Sequence, residues 1–305
     1  LPIWRHELAV KDDRFHAGEH AEARRVWRRG PGTMPHDGWE STSLVELLSS
    51  SARRGGVAHD ARVSTSSDEL FFFERAPLAA VVDRARADYA GARPFPHAVI
   101  DGVLPLEVAQ RAARSFPKAD HPGFKRRDYD EQSARYGQLQ RRAFAGVDPF
   151  VRHLLNEVNG MVFLEMLERV SGVKGLIADP FFTGAGLHLT LPGGHLALHA
   201  DFDRDRARGL ARRLTVVLFL VERWEDAWGG HLELWNEELT RCEARIAPAP
   251  GRLVVFAHGD RFWHGHPEPL ACPEGVARQS LAAYYYVADG SPAAEGHSAI
   301  WAPRG

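Results

Sequence analysis

The chain has 305 residues, of which 44% are hydrophobic, with 38 basic and 40 acidic side chains and a formal net charge of −2. This balance predicts no nucleic-acid partner, and no apolar run approaches the roughly 18 residues of a membrane span. Two cysteines exclude a disulfide framework, and no secretory signal pattern opens the sequence, so we expect a cytoplasmic protein. The sequence gives no indication of the oligomeric state.

The first part of the chain differs in character from the rest. It is polar and rich in Arg and His, with helical patterns over 7–29 and 43–53. We therefore predict that residues 1–75 form a helical or irregular N-terminal extension, and that residues 76–305 form a separate domain.

Apolar spacing in the first half of this domain is mostly helical. It predicts a short strand over 95–104 and helices over 76–89, 106–116 and 149–170, with Pro105 at the first position of the second helix. The polar stretch 119–140 is predicted to be a loop.

After Gly172 the apolar period changes to two. Short strands separated by turn residues are predicted over 185–191, 196–203, 213–221, 231–236, 243–247, 252–257, 262–266 and 278–287. Their number and regular spacing favour a mainly β fold, a jelly roll with flanking helices and a helical region before it.

A His-x-Asp triplet on the second of these strands is the strongest chemical signal. Side chains alternate along a strand, so His199 and Asp201 share a face. A third ligand is available from His258, His264 or His266, which share strand parity, so the spacing alone leaves the choice open. Two imidazoles and one carboxylate form a facial triad that suits non-haem Fe(II).

A second signal follows this histidine-rich segment. Arg278 and Ser280 share a strand face, and a guanidinium can bind a carboxylate through two parallel hydrogen bonds. An inward Arg beside an iron triad predicts an anionic organic cosubstrate.

These motifs occur in a recognisable order. The matching pieces are Gly193 to Phe202, Arg213-Leu214-Thr215, Trp228 to Trp235, Pro250 to Phe256, Trp263 to Pro267 and Arg278 to Leu281. With these pieces, the segment 179–287 resembles the Fe(II)/2-oxoglutarate-dependent oxygenases, in their prolyl-4-hydroxylase-like branch. The resemblance implies a double-stranded β-helix of the jelly-roll or cupin-like type. It also implies Fe(II), 2-oxoglutarate and O₂ as cofactor and cosubstrates, with ascorbate as a stimulant.

The resemblance assigns roles to individual residues. It implies that His199, Asp201 and His264 hold the iron, and that Arg278 binds the C5 carboxylate of 2-oxoglutarate with Ser280 as a helper. The chain departs from the pattern at one position: relatives often carry a Tyr near the cosubstrate where this chain has Thr190, whose hydroxyl has a shorter reach. Three further residues are candidates for contacts around the substrate: His195, Trp263 and His266.

The function implied is hydroxylation of an unactivated C–H bond, with succinate and CO₂ as coproducts. We expect a small metabolite or natural-product intermediate as substrate, because no docking stripe for a protein is visible in the sequence. Two alternatives stay open at this point. One is a peptidyl, prolyl-type hydroxylase, and the other is a cupin-type metal-binding protein that does not use 2-oxoglutarate.

Overall fold

The structure, a computed structural model, describes residues 71–137, 146–290 and 296–303. The helical patterns predicted over 7–29 and 43–53 lie outside these ranges. The division between an extension and a domain at residue 75 therefore stays a prediction. No helix in the described part of the chain is long and apolar enough to cross a membrane.

Helices come first in the described chain. They are α1 (Arg75–Tyr89), α2 (Leu106–Arg114), α3 (Pro149–Glu157) and α4 (Met161–Ser171). Each buries its apolar face in the main hydrophobic core, which also contains residues from the β-strands.

The single helix predicted over 149–170 is wrong, because two helices occupy this stretch. The backbone of Gly160 is extended, with φ −83° and ψ 163°, and it precedes the first residue of α4. A Cβ at Gly160 would lie 3.0 Å from the carbonyl oxygen of Glu157, so glycine permits the tight approach of the two helices. Continuous apolar periodicity across the break hid it from the sequence pattern.

The strands form one mostly antiparallel sheet that closes into a barrel. They are β1 (His97–Ile100), β2 (Lys125–Tyr129), β3 (Gln132–Gly137), β4 (Ile177–Ala178), β5 (Gly186–Ala200), β6 (Arg204–Asp205), β7 (Leu210–Phe219), β8 (Leu232–Trp235), β9 (Cys242–Ile246), β10 (Leu253–Ala257), β11 (His264–His266), β12 (Arg278–Val287) and β13 (Ile300–Trp301). The main path of neighbours is β1-β10-β7-β12-β5-β11-β8-β9. The predicted jelly roll with flanking helices is confirmed.

The long strand β5 joins the two halves of the barrel. Its first half pairs with β12, where Thr190 lies opposite Arg278, and its second half pairs with β11, where His199 lies opposite His264. The strands predicted over 185–191 and 196–203 are therefore largely one strand, which continues through the Gly193-Gly194 turn. Because β5 belongs to both halves, it brings residues of β11 and β12 to a common interior.

The loop predicted over 119–140 is partly wrong, because β2 and β3 form an antiparallel hairpin within it. Strand β3 also pairs with β5, and Ser133 lies opposite His195. Strand β2 is almost entirely exposed and has no apolar alternation, which is why its pattern is typical of a loop. The hairpin extends the sheet beside the middle of β5, with pairs on both sides of the Gly193-Gly194 turn.

Candidate active site

Strand pairing brings His199, Asp201 and His264 together inside the barrel, and we call these three residues the inner cluster. His199 and His264 are directly opposed in β5 and β11, and directly opposed residues project from the same face of a sheet. The Nε2 atoms of His199 and His264 lie 3.7 and 3.6 Å from carboxylate oxygens of Asp201. All three residues are buried, and one potential ligand atom from each lies within 4.8 Å of the others.

Backbone carbonyls fix the orientation of both imidazoles. The Nδ1 atom of His199 lies 3.0 Å from the carbonyl oxygen of Ala197, and that of His264 lies 2.9 Å from the carbonyl oxygen of Phe262. A carbonyl oxygen only accepts, so each Nδ1 carries the proton and each Nε2 presents a lone pair. Two such imidazoles and a carboxylate are the donor set that Fe(II) takes in a facial triad, and the residues therefore fit this metal.

A buried arginine supports the carboxylate of the cluster. Arg212 is only 1% exposed, and its Nη1 lies 2.9 Å from Oδ2 of Asp201. The hydroxyl of Thr215 donates to the same oxygen at 2.9 Å. Burial raises the pKa of Asp201, but the charge of Arg212, the hydrogen bond from Thr215 and, whenever they are protonated, the charges of the two histidines outweigh burial and hold this pKa well below its usual range. The carboxylate is therefore ionised before any metal binds.

The guanidinium of Arg212 is held by aromatic rings as well as by charge. Its Cζ lies 3.9 Å from the ring centroid of Phe202 and 3.4 Å from that of Tyr284. Such contacts over aromatic faces favour a cation and restrict its position. Arg212 was missed as a site residue in the sequence, where it stands in a run of arginines that is typical of a solvated loop.

Arg278 lies in the same interior as the inner cluster. Its Nε donates to the carbonyl oxygen of Gly230 at 2.7 Å, and its Cζ lies 4.8 Å from the ring centroid of Phe219. A Cβ at Gly230 would lie 3.1 Å from Cδ of Arg278 and 2.6 Å from a methyl of Leu270, so only glycine fits beside this side chain. The guanidinium is thereby positioned inside the barrel before a ligand arrives.

One interior cavity contains the inner cluster, Arg278 and several of the other candidates. Ser280 and His266 line this cavity, together with apolar walls that include Val217 and Phe256. Thr190 is buried opposite Arg278 in the neighbouring strand, but the cavity lining does not include it. The structure therefore places Ser280 and His266 at the cavity and Thr190 beside it.

A second, larger groove of about 590 Å³, which we call the outer groove, is lined by residues other than those of the inner cluster. Its walls include His195, the β2–β3 turn and Trp301. Trp301 lies opposite His199 in the pairing of β13 with β5, and the centroids of their two rings are 5.2 Å apart. Because Trp301 is 102 residues from His199 and 37 from His264 in sequence, no local pattern could have marked it as a site residue.

Two candidates lie away from the interior cavity. The indole Nε1 of Trp263 donates to the carbonyl oxygen of Glu237 at 3.0 Å, so this ring packs against the connection between β8 and β9. His258, an alternative third ligand in the sequence, precedes β11 and belongs to a different cluster with Asp260 and His297. The structure therefore groups His264 with His199 and Asp201.

Comparison with known proteins agrees with this geometry. Residues 185–286 match the family model described as the 2OG-Fe(II) oxygenase superfamily. No curated protein matches the sequence.

Several solved structures are similar to this chain. A prolyl-4-hydroxylase from Pseudomonas putida is 19% identical, with a TM-score of 0.46, over 69% of this chain and 98% of that one. A prolyl 4-hydroxylase from Phytophthora capsici is 19% identical, with a TM-score of 0.49, over 73% and 68% of the two chains. HygX from Streptomyces hygroscopicus, solved with nickel, 2-oxoglutarate and hygromycin B, is 13% identical, with a TM-score of 0.40, over 63% and 83%.

The family match covers residues 185–286, a third of the chain, and the His-Asp-His cluster lies within that segment, so both indicate a 2OG-Fe(II) oxygenase domain there. The chain is an enzyme that uses Fe(II), 2-oxoglutarate and O₂. The superfamily resemblance seen in the sequence is confirmed, and the cupin-type alternative without 2-oxoglutarate is set aside.

Proposed function

We propose that this oxygenase hydroxylates an unactivated C–H bond of a small metabolite or natural-product intermediate that binds in the outer groove. The observation that carries the proposal is the position of that groove, since Trp301 forms its wall and also contacts the ring of His199. A volume of about 590 Å³ is within the range of small-molecule sites. A substrate in the groove would therefore lie beside the inner cluster.

In this proposal, His199, Asp201 and His264 hold Fe(II). When bound, the iron supplies the oxidising chemistry by which 2-oxoglutarate and O₂ yield succinate, CO₂ and a hydroxylated product. Arg212 and Thr215 keep the Asp201 carboxylate ionised and in place, and the carbonyls of residues 197 and 262 hold both imidazoles in the ligating tautomer.

Arg278 binds the distal carboxylate of 2-oxoglutarate through its guanidinium, and Ser280 donates a further hydrogen bond. Both side chains line the interior cavity that contains the inner cluster. The apolar walls at Leu196, Val217 and Phe256 exclude water from this cavity. Charge pairing in a site of low dielectric gives the anionic cosubstrate its affinity.

A prolyl residue of a peptide is the second candidate substrate. The observation in its favour is that the outer groove is open to solvent, so an extended chain could pass across it. The exposed carboxylates at Asp128 and Asp130 would then face the residues on either side of the target.

Substrate-dependent release of succinate tests the proposal. Enzyme loaded with Fe(II) and 2-oxoglutarate is assayed with a panel of small metabolites and with proline-containing peptides, and products are identified by mass spectrometry. The proposal predicts a gain of one oxygen atom on a small molecule, and a weaker response in Trp301→Leu than in the control His153→Ala. Stimulation by the peptides alone, with oxidation of proline, would contradict the small-molecule assignment and favour the second candidate.

A further inference from the structure

The described residues contain a second group of two imidazoles and a carboxylate, formed by His258, Asp260 and His297, which we call the outer cluster. One potential ligand atom from each lies within 4.8 Å of the others. None of these side chains has a part in the reaction proposed above. We propose that the outer cluster binds a divalent transition metal ion such as Zn²⁺. The bound ion would link the segment 296–303 to the barrel.

His258 has a ring nitrogen in need of a partner. Its Nε2 is buried and has no hydrogen-bond partner among the described residues. A buried polar atom without a partner is costly, and coordination to a metal ion would satisfy it. The backbone of His258 is fixed, because its N–H donates to the carbonyl oxygen of Arg213 at 2.9 Å.

The loop that carries His258 and Asp260 is held in place by packing. The N–H of Phe262 donates to the carbonyl oxygen of Gly259 at 3.1 Å, which closes a turn. The ring of Phe262 stacks on that of Phe95, with centroids 4.5 Å apart. A Cβ at Gly259 would lie only 3.0 Å from the Phe262 ring, so glycine permits this turn. Two of the ligands therefore come from an ordered loop.

His297 is oriented toward Asp260 by its own backbone neighbour. Its Nδ1 lies 2.7 Å from the carbonyl oxygen of Ser298, so Nδ1 carries a proton, while Nε2 lies 3.1 Å from Oδ1 of Asp260. When the ring is neutral, a lone pair on Nε2 faces a carboxylate oxygen, and a cation between them removes the repulsion. The N–H of His297 donates to Oδ1 of Asp203 at 2.8 Å, which brings a second carboxylate close to the cluster.

Metal at the outer cluster would affect the wall of the outer groove. The segment that carries His297 continues into β13, where Trp301 contacts the ring of His199. The loop that carries His258 and Asp260 continues into β11, where His264 begins the strand. A metal ion that joins these two segments would therefore restrict both sides of the iron site without touching it.

Metal counting on the full chain tests this inference. Metal-free protein is dialysed against Zn²⁺, and bound metal per chain is measured by mass spectrometry. We expect two equivalents in the parent, one in His264→Ala, one in His297→Ala and none in the double variant. Asp260→Asn, at a largely exposed side chain, repeats the loss at the outer cluster with little risk to folding. His153→Ala, which removes a histidine paired with a carboxylate elsewhere, is the matched control and should retain two.

Hydrogen exchange of the segment 296–303 gives a readout that is independent of turnover. Zn²⁺ should slow exchange in this segment about tenfold or more in the parent and in His264→Ala, and should leave it unchanged in His297→Ala and Asp260→Asn. One equivalent of metal in the parent, unaffected by His297→Ala, would overturn the inference and leave His297 and Asp260 as an ordinary ion pair. The His264→Ala variant separates this outcome from any failure of the iron site.

Discussion

The inner and outer clusters use the same donors but are built differently. The inner cluster is buried and stands on or beside paired strands, whereas the outer cluster is partly exposed and lies on a loop and a terminal segment. Strand register fixes the inner imidazoles before a metal arrives, and burial of their carboxylate requires a compensating charge from Arg212. The outer carboxylate is well solvated and needs no such partner. The two clusters therefore differ in the backbone that carries their ligands and not in the ligand types. Ligands on paired strands are held in place before a metal binds, whereas ligands on a loop and a separate segment are held together by the metal itself.

The largest expected effect is on turnover, when a histidine of the inner cluster is replaced and compared with a histidine of the outer cluster. His264→Ala should lower 2-oxoglutarate turnover by more than about a hundredfold, since removal of even an outer partner of a metal ligand can cost that much. His258→Ala should lower it by less than about tenfold, because this residue lies outside the interior cavity. Steady-state rates with saturating Fe(II) measure both. Equal losses in the two variants would contradict the assignment of His264 to the inner cluster.

Replacement of Arg212 tests whether this buried cation compensates for burial of the Asp201 carboxylate in the metal-free protein. Arg212→Met should lower the free energy of unfolding of the metal-free protein by about 3 kcal/mol or more, because it leaves the Asp201 carboxylate buried without its cation. Arg213→Met, at the adjacent exposed arginine, is the control and should change stability by less than about 0.5 kcal/mol.

Denaturant unfolding curves measure both arginine variants. Added Fe(II) should reduce the deficit of Arg212→Met, because the metal supplies positive charge to the same carboxylate. A deficit that is small in the metal-free protein would show that Arg212 is not the partner on which the carboxylate depends.

The next largest effect is expected on the KM for 2-oxoglutarate when Arg278 is replaced. Arg278→Ala should raise the KM for 2-oxoglutarate at least about thirtyfold, which corresponds to about 2 kcal/mol for loss of one partner of a buried charge pair. Arg241→Ala, which removes an exposed arginine paired with Glu243, should leave this KM unchanged. A normal KM in Arg278→Ala would place the cosubstrate carboxylate elsewhere.

The smallest effect concerns an ion pair at the surface, between Asp101 next to β1 and Arg252 next to β10. The hydrogen bond from Arg252 lowers the pKa of Asp101, partly opposed by burial, so the pair stabilises the folded state at neutral pH. Asp101→Asn should cost less than about 1 kcal/mol, as is usual for solvated pairs.

The pH dependence of this small effect has a definite sign. The folded pKa of Asp101 is lower than the unfolded pKa, so the stabilisation is complete above the unfolded value and is lost as the pH falls through the folded one. The difference between the parent and Asp101→Asn should therefore shrink in acid. A cost as large as that of Arg212→Met would contradict the contrast drawn between buried and solvated carboxylates.

Much of the fold could be predicted from the sequence because its signals are local. Alternation of apolar residues located most of the barrel strands, and helical periodicity located α1 within one residue of its start. The β2–β3 hairpin was missed because β2 is largely exposed and has no apolar face. The break between α3 and α4 was missed because the apolar pattern continues through Gly160.

Some residues of the candidate site could be predicted from the sequence, and others could not. The pair His199 and Asp201 could be found from strand alternation, but the choice of His264 required the family resemblance. Arg212 could not be distinguished from the neighbouring arginines, because its burial depends on which face of β7 turns inward. Trp301 and His297 lie in a segment that tertiary contacts bring to the barrel, namely the pairing of β13 with β5 and the hydrogen bond from His297 to Asp203.

Anaerobic titration of the metal-free protein with Fe(II) and then 2-oxoglutarate, followed by visible absorption, tests the central claim most directly. The account predicts a weak charge-transfer band in the parent that shows 2-oxoglutarate chelated at the inner cluster. The band should be absent in Asp201→Ala, weakened in Arg278→Ala and retained in Arg241→Ala. Iron binding in the parent without the band, or a band that survives Asp201→Ala unchanged, would contradict the claim that the inner cluster holds the iron and its cosubstrate.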